Sequence, residues 1–367
     1  MSDSSEEDES QLPSGAECKE RCDEFVKLTG TDSAMAMFYL QNCSWDLQCA
    51  VNFYFEKNGG EETSQDSTSD SKETTKNTPR RSQENNEINS SKKKKPRLSL
   101  EPQGLLQNAA ISEDKRIRIL SWNIDGLDTN NLKRRTKAVC QVIANENPHV
   151  IFLQEVVPES LVVLKKYCPD YRVSVSNDVG YFTVTLLKDS EVRTETEEVF
   201  PFFSSVMSRC LLLTECVIKD VPVLLINTHL ESMAGHATER QRQLNIGFKK
   251  VLETDKKRTV IFGGDLNLRE KELVNVGGIP NQVIDVWEAT GKRPEAKFTW
   301  DTQRNDNKGF EGKFKPRCRF DRIYLRNAQP KALKPVYFEL VGLERIPKCH
   351  RFASDHWGLL VHINIEA

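Results

Sequence analysis

The chain has 367 residues, of which 29% are charged and 38% hydrophobic, and its formal net charge is −2. This length exceeds what one small domain needs, and the low hydrophobic content excludes a chain that packs throughout. The net charge decides neither for nor against nucleic acid as a partner, because binding needs only a local basic groove.

The N-terminal end divides into an acidic tail and a small helical unit. Residues 1–14 are acidic and rich in Ser, which predicts a disordered tail. From 15 to 58, apolar residues recur at helical spacing, with breaks at Thr29-Gly30 and Asn42-Cys43-Ser44, so we predict three short helices. A unit this small has little interior in which to build an active site, and we expect a binding module.

A polar segment follows, from residue 59 to 110. It is rich in Ser, Thr, Asn, Glu and Lys without apolar periodicity, which predicts a disordered linker. Within it, Arg80-Arg81 and the run 92–97 form a basic cluster. The cluster is either a solvated tether, a nuclear import signal or a contact for a phosphate backbone. A DNA partner would favour the nucleus as the location, with the cytoplasm as a second compartment.

Targeting segments and cysteines set the expected compartment. No segment has the form of a signal peptide and no apolar run is long enough to span a bilayer, so we expect an intracellular protein without a membrane partner. The ten cysteines form no CxxC pair and have no neighbouring His cluster. We therefore expect reduced thiols, with neither disulfides nor a zinc site.

From residue 111 to 367, apolar strands are mixed with helical segments. The predicted helices are 132–146, 158–167 and 239–252, and the clearest predicted strands are 181–187, 192–199 and 210–218. Helices first follow strands, and then strand follows strand. This mixture favours two stacked mixed β-sheets with helices outside over a doubly wound parallel sheet.

Six segments place polar side chains at the end of an apolar run or close to one. In the most informative, Asp265 and Asn267 follow the apolar run 259–262 and lie two residues apart, hence on one face of an extended backbone. The others are Trp122-Asn123-Ile124-Asp125, Gln154-Glu155, Thr228-His229, Asp321-Arg322 and Ser354-Asp355-His356. One such residue is usually a turn former or a helix cap, but six together indicate a site.

These motifs resemble those of the endonuclease/exonuclease/phosphatase superfamily of metal-dependent phosphodiesterases, in the same chain order and over nearly everything from Lys115 to the end. The resemblance implies a four-layer sandwich of two stacked mixed β-sheets flanked by helices, with 111–367 as the catalytic domain. The helical unit 15–58 resembles a ubiquitin-associated (UBA-like) domain through Leu28-Thr29-Gly30 and Trp45-Asp46-Leu47. That second resemblance implies ubiquitin or ubiquitylated proteins as partners.

The superfamily resemblance also implies a metal cofactor and its ligands. It assigns Glu155 as the main ligand of Mg²⁺, for which Mn²⁺ would substitute, and Asp125 as a direct or water-mediated ligand. Carboxylate oxygens and several waters are what Mg²⁺ prefers.

Two assignments of the general base remain. In one, Asp265 activates or orients the attacking water and Asn267 fixes water and phosphate. In the other, His356 is the base and Asp355 or Asp321 orients its ring. The resemblance favours the first, with His356 donating to the phosphoryl oxygen and Asp321 orienting it.

Three further residues are expected to contact the phosphate. Asn123 and His229 would donate to the transition state, and Arg269 would act as a bidentate phosphate clamp.

The sequence shows no dedicated general acid for the leaving group. A phenol has a pKa of ~10, so a tyrosine leaving group would depart with little help from such an acid.

Further motifs resemble a branch of the superfamily that hydrolyses the bond between a protein tyrosine and a DNA 5′ phosphate. They are Leu127-Asp128, Thr228-His229-Leu230-Glu231-Ser232, Asn267-Leu268-Arg269-Glu270 and Phe298-Thr299-Trp300-Asp301. This likeness implies trapped topoisomerase 2 adducts on DNA 5′ ends as substrate and a 5′-phosphate as product. The substrate contacts it implies are Tyr181, Arg209, Leu230, Glu231, Ser232, Arg269 and Trp300.

Two alternatives stay open at this point. One is another phosphodiesterase of the superfamily, such as an abasic-site endonuclease. The other is a ubiquitin-binding scaffold with an inactive enzyme domain, against which the presence of every expected catalytic residue counts.

Overall fold

The computed structural model covers part of the N-terminal unit and nearly all of the C-terminal two thirds of the chain. The residues it describes are 15–29, 31, 33–43, 45–48, 50–51, 54, 113–309 and 315–366. The predicted tail and the predicted linker with its basic cluster lie outside the described residues. In the described part of the chain, no helix combines the length and apolarity that crossing a bilayer requires.

The N-terminal unit is helical, as predicted. Helix α1 spans Gly15–Thr29 and α2 spans Ser33–Asn42, and most of the described residues between 47 and 54 are helical as well. Phe25 has no solvent exposure, and its ring stacks on that of Tyr39 with centroids 5.7 Å apart. The unit therefore has a small aromatic core of its own.

The C-terminal region contains both strands and helices. The strands are β1 Arg116–Asn123, β2 Val150–Val156, β3 Tyr171–Val175, β4 Phe182–Lys188, β5 Val192–Pro201, β6 Cys210–Ile218, β7 Val221–His229, β8 Thr259–Asp265, β9 Ile284–Asp285, β10 Trp300–Asp301, β11 Arg317–Cys318, β12 Asp321–Arg326, β13 Leu333–Val341 and β14 Gly358–Ile365. The helices are α3 Leu132–Glu146, α4 Pro158–Tyr167, α5 Ala237–Glu253, α6 Glu270–Asn275 and α7 Val286–Ala289. The bounds of α3, α4 and β6 equal the predicted ones. Helix α5 begins two residues earlier and ends one residue later than predicted, β4 is shifted by one residue, and β5 ends two residues later.

The strands form two six-stranded sheets and a small hairpin. Sheet A has the order β13-β14-β1-β2-β4-β3, and sheet B has the order β5-β6-β7-β8-β12-β9. β1 pairs with β2 and β7 pairs with β8 in parallel, whereas the other pairs are antiparallel. Both sheets are therefore mixed, which confirms the predicted architecture.

Hydrophobic contacts arrange these elements in four layers. Fully buried side chains of both sheets, such as Phe152 and Ile261, form the core between the sheets. On the outer face of sheet A, Val139 of α3 packs into a second core, and on the outer face of sheet B, Leu244 of α5 packs into a third. The central strands are covered on both faces, by the other sheet and by the helices, so both faces are apolar. This explains the continuous apolar runs in the sequence.

The parallel pairs place their carboxyl ends at one edge of the sandwich, which we call the site edge. β14 runs antiparallel to β1 and β12 antiparallel to β8, so their amino ends reach the same edge. Six strand ends therefore converge there, and each carries one of the polar motifs.

Candidate active site

Strand register aligns the polar residues of sheet B. His229, the last residue of β7, pairs with Asp265, the last residue of β8. Asp265 in turn pairs with Asp321, the first residue of β12. In sheet A, Asn123 ends β1 beside Gln154 of β2. The two sheets thus present their motifs to each other across the site edge.

The backbone at these ends takes conformations that most residues avoid. Asp125, Glu155 and Asn267 have positive φ angles of 51°, 52° and 47°. Gly264 has a φ of 133°, and a Cβ there would lie 1.9 Å from the carbonyl oxygen of Thr228. Only glycine fits that position, and the positive φ angles are typical of strain held at a functional site.

Asp265 is the centre of a hydrogen-bond network. Its side chain is buried, and its Oδ2 lies 2.9 Å from Asn123 Nδ2, 3.3 Å from His229 Nε2 and 3.8 Å from His356 Nε2. Its Oδ1 accepts from the backbone N–H of Asn267 at 2.9 Å. Burial raises the pKa of Asp265 to about 6, with His356 and Asn123 opposing the rise.

His356 and Asp321 form a buried pair. His356 Nδ1 lies 2.8 Å from Asp321 Oδ2, which also accepts from Thr299 Oγ1 at 2.5 Å. Burial acts to lower the pKa of His356, but Asp321 and Asp265 outweigh it and raise that pKa well above its usual value. His356 is therefore an imidazolium at neutral pH, held by its carboxylate partner.

His229 differs from His356 in its charge. Arg209 Nη1 lies 2.9 Å from His229 Nδ1, and Arg209 Nη2 donates to Ser232 Oγ at 2.9 Å. Burial, followed by the positive charges of Arg209 and His356, lowers the pKa of His229 well below its usual value. His229 is thus neutral, with Nδ1 accepting from Arg209 and its proton on Nε2, where Asp265 Oδ2 is the acceptor at 3.3 Å.

A second group, which we call the acid cluster, consists of Asp125, Glu155 and Asp355. Burial and then the charge of Asp355 raise the pKa of Asp125 to about 8 and also raise that of Glu155. Lys308 Nζ lies 2.7 Å from Asp125 Oδ1, and Arg135 Nη1 lies 3.8 Å from Asp125 Oδ2, which is buried and makes no hydrogen bond. A buried carboxylate oxygen without a hydrogen bond, beside other carboxylates, suits an oxygen-ligated divalent cation.

A different trio, Asp265, Asp321 and His356, also has ligand atoms within 4.8 Å of one another. The acid cluster is the better candidate for a cation, because Asp321 and His356 already bond each other and both oxygens of Asp265 accept hydrogen bonds. A cationic imidazolium is also a poor metal ligand. The site edge thus has groups that can bind a divalent metal beside a hydrogen-bonded network.

The expected substrate residues surround this centre. Trp300 is partly exposed, and its ring lies 5.6 Å from that of Phe320, which also has the Arg269 guanidinium at 5.4 Å and the His356 ring at 6.4 Å. Arg209 lies over the ring of Tyr181 at 5.0 Å. Both residues line a cleft of about 300 Å³, together with Met207 and His229 among others.

Two of the expected substrate contacts need correction. Leu230 is fully buried in the core of sheet B and α5, so it has no surface to offer a ligand. Glu231 is also buried, and its carboxylate accepts from Ser205 Oγ at 2.7 Å and from the backbone N–H groups of Val206 and Met207, both at 3.1 Å. Glu231 therefore anchors the loop between β5 and β6 and does not face DNA.

Sequence reasoning also missed two residues that shape the site. Arg135 of α3 is fully buried and donates to the carbonyl oxygens of Ile124, Asp125 and Ala353 at 3.2, 2.9 and 3.1 Å, which fixes the strand ends. In the sequence it looks like one of several exposed basic residues. Lys308 is the second residue that was missed. It lies in a polar stretch of the sequence, which gives no sign that its side chain reaches the site.

Comparisons with known proteins agree with this geometry. Residues 120–356 match the Endonuclease/Exonuclease/phosphatase family, and residues 19–61 match a UBA-like domain. Tyrosyl-DNA phosphodiesterase 2 of Homo sapiens is 37% identical over 345 residues, which is 94% of this chain and 92% of that protein. The same enzyme of Xenopus laevis is 36% identical over 350 residues, covering 94% and 93%.

Solved structures extend the similarity to three dimensions. D. rerio TDP2 complexed with a single-strand DNA product superposes with a TM-score of 0.66 and 40% identity, over 68% of this chain and 99% of that one. TDP2 from C. elegans gives 0.63 and 31%, over 99% and 98%. The chain therefore belongs to the Endonuclease/Exonuclease/phosphatase family, in which it is a phosphodiesterase related to tyrosyl-DNA phosphodiesterase 2.

Proposed function

We propose that the chain is a Mg²⁺-dependent 5′-tyrosyl-DNA phosphodiesterase. It would remove trapped topoisomerase 2 peptides from DNA 5′ ends during double-strand break repair and leave a 5′-phosphate. The name shared by its relatives supports the bond that is cut. The observation that carries the proposal is the buried network in which Asn123, His229 and His356 surround the carboxylate of Asp265.

Glu155 and Asp125 would hold the metal, since the acid cluster has the carboxylates and the unsatisfied oxygen that a hard cation needs. When bound, Mg²⁺ supplies positive charge to the phosphoryl oxygens as negative charge develops there. Asn123 belongs to both halves of the site, because its Nδ2 donates to Asp265 and its Oδ1 accepts from the backbone N–H of Asp125 at 2.9 Å.

Asp265 is the general base in this proposal. His356 is cationic and has no free lone pair on Nε2 with which to take a proton, which argues against the alternative assignment. Asp265 accepts a proton from water as the water oxygen bonds to phosphorus. The bond between phosphorus and the tyrosine oxygen breaks, and the tyrosine departs as a phenolate, which its pKa near ~10 permits.

The other polar residues stabilise the transition state. The Nε2–H of the cationic His356 and the amides of Asn123 and Asn267 donate to phosphoryl oxygens, in a buried setting where such bonds are strong. Asp321 accepts the hydrogen bond from His356 Nδ1–H and orients the ring, so that Nε2–H is left to donate to the phosphate. The cleft beside Tyr181 and Arg209 has room for the departing aromatic group.

The test compares two substrates. With Mg²⁺, we expect a 5′-phosphotyrosyl oligonucleotide to be hydrolysed to a 5′-phosphate and free tyrosine, and a duplex with an abasic site to be cut far more slowly. Preference for the abasic duplex would replace this proposal with the endonuclease alternative. Absence of hydrolysis of either, with retained ubiquitin binding, would leave the scaffold alternative.

The UBA-like unit would bind ubiquitin or ubiquitylated proteins. Among its described residues, Leu28 and Met37 expose 58% and 46% of their surface, which is the apolar contact that such binding needs. In an NMR titration of labelled ubiquitin with the full chain, we expect Leu28→Ala to weaken the shifts and Lys27→Ala to leave them. If wild type, Leu28→Ala and Lys27→Ala gave equal shifts, Leu28 would not be part of the ubiquitin contact.

The nucleus is the compartment that this substrate requires, with some protein in the cytoplasm. The basic run Lys92-Lys93-Lys94-Lys95 is the candidate import signal. Replacing these four residues by Ala in a fluorescent fusion should abolish nuclear accumulation without changing DNA affinity. Lost DNA affinity with unchanged location would assign the run to the phosphate backbone instead.

A further inference from the structure

Lys308 brings a positive charge into the acid cluster. Its Nζ lies 2.7 Å from Asp125 Oδ1, in a pair whose carboxylate is buried and whose lysine side chain is 36% exposed. Asp355 and Glu155 also attract this ammonium, and Arg135 Nη1 lies 3.8 Å from the other oxygen of Asp125, Oδ2. A partly exposed lysine and a buried arginine thus share the compensation of Asp125.

The backbone around Lys308 is held in place by its neighbours. Asn307 Nδ2 donates to the carbonyl oxygen of Phe352 at 3.0 Å, and Asn307 Oδ1 accepts from the backbone N–H of Phe352 at 3.0 Å. Asn305 Nδ2 donates to the carbonyl oxygen of Ser354 at 2.9 Å. These bonds fasten the segment after β10 to the segment before β14, so the backbone position of Lys308 is fixed.

Charge balance shows what this lysine does. The three carboxylates repel each other, and both Arg135, at 3.8 Å from Asp125 Oδ2, and Lys308, at 2.7 Å from Asp125 Oδ1, relieve part of that repulsion. Arg135 is buried and held by backbone carbonyl oxygens, so Lys308 is the one of the two that can move away. A divalent cation at Asp125 and Glu155 would supply the same compensation with more charge. Two cations on the same carboxylates repel each other, so the ammonium and the metal ion compete.

We propose that Lys308 is a tethered counter-ion that occupies the metal side of the site until a divalent cation displaces it. This rests on the proposed Mg²⁺ site at Asp125 and Glu155. The side chain is partly exposed, so it can turn toward solvent while Asn305 and Asn307 keep the backbone fixed. Lys308 is therefore a positioning residue that sets how tightly the site binds its metal.

The test measures magnesium binding directly, by calorimetry on the full chain without DNA. Lys308→Met keeps the length of the side chain and removes its charge, and we expect the Kd for Mg²⁺ to fall about tenfold, a modest part of a close charge interaction. Lys308→Arg keeps the charge and should bind like wild type. Lys315→Met removes a charge from the same hairpin, where the charge acts on Asp306 and not on the acid cluster, and should leave the Kd unchanged.

Thermal unfolding gives a second readout. Without metal, Lys308→Met should melt below wild type because the acid cluster has lost its counter-ion, and its gain in Tm on adding Mg²⁺ should be larger. A Kd for Lys308→Met that equals or exceeds that of wild type overturns the inference alone, provided that Glu155→Gln weakens binding. No magnesium binding by either protein overturns the metal site and this inference together.

Discussion

The central carboxylates of the two halves differ in how their oxygens are satisfied. Both oxygens of Asp265 accept hydrogen bonds, and of the two histidines beside it His356 is cationic and His229 neutral. In the acid cluster, Asp125 Oδ2 accepts no hydrogen bond, and the charges of Lys308 and Arg135 compensate Asp125. The Asp265 half is therefore preorganised by hydrogen bonds, whereas the acid cluster keeps a carboxylate oxygen that accepts none.

This difference indicates that the two halves have different roles. The Asp265 network would act in the chemical step, and the acid cluster would act in metal binding. Preorganised donors cost no rearrangement in the transition state, which is where such a network has its largest effect. In the proposed mechanism, Mg²⁺ completes the acid cluster. Changes in the first half should therefore lower the rate directly, whereas changes in the second should act through metal binding.

Asp265→Asn should have the largest effect. The amide cannot take the proton of the attacking water, so we expect single-turnover hydrolysis of a 5′-phosphotyrosyl oligonucleotide to slow by at least about 10². Asp189→Asn, an exposed change in the turn after β4 on the side opposite the site edge, is the matched control. An Asp265→Asn enzyme as fast as wild type would remove the base from this half and revive His356 for that role.

Glu155→Gln should affect the metal half. The neutral amide is a weaker ligand for Mg²⁺, so we expect a loss of about 10–100-fold in metal affinity or activity. Raising the Mg²⁺ concentration should restore part of the activity, which it would not do for Asp265→Asn. The same metal requirement in wild type and Glu155→Gln would contradict the assignment of the acid cluster.

The layout that makes this comparison possible was predictable from the sequence. Apolar runs with period two or with no break predicted the strands, and the carboxyl ends of parallel strands share an edge of a sheet. Asn123, Glu155, His229 and Asp265 were expected together because each follows an apolar run and their motifs resemble those of the superfamily in the same chain order. The bounds of α3 and α4 were predicted to the residue because apolar spacing and a following or leading proline mark them.

What could not be predicted depends on contacts between distant segments. Glu231 follows His229 by two residues and looked like part of the same surface, but the loop between β5 and β6 folds over its carboxylate. Lys308 lies 183 residues from Asp125 in the chain and belongs to no periodic segment. Neither local propensity nor spacing contains that information.

Asp321→Asn should change the pH dependence of the preorganised half. Asp321 raises the pKa of His356, so without it that pKa is lower and the imidazolium is lost at a lower pH. The alkaline limb of kcat/KM should therefore move to lower pH, with a deficit of at least about tenfold at pH 8 that shrinks toward pH 6. If the alkaline limb of kcat/KM fell at the same pH in wild type and Asp321→Asn, His356 would not act as a cation.

Glu231→Gln should have the smallest effect on rate and a clear effect on stability. The substitution removes the charge that holds Ser205, Val206 and Met207, and a hydrogen bond to a charged group contributes about 1.5–3 kcal/mol. We expect the free energy of unfolding to fall by about that amount in a urea titration.

The rate constants then separate anchoring from catalysis. Arg209 ends the same loop, and its backbone N–H donates to Ser205 Oγ at 2.8 Å, so a loosened loop should raise KM a few-fold and leave kcat nearly unchanged. Glu239→Gln is the matched control, because Glu239 accepts from Ser204 on the outer side of that loop at 2.9 Å. A fall in kcat without a change in KM would mean that Glu231 supports the Asp265 network itself, through Arg209 and His229, and the preorganised half would then extend into the loop.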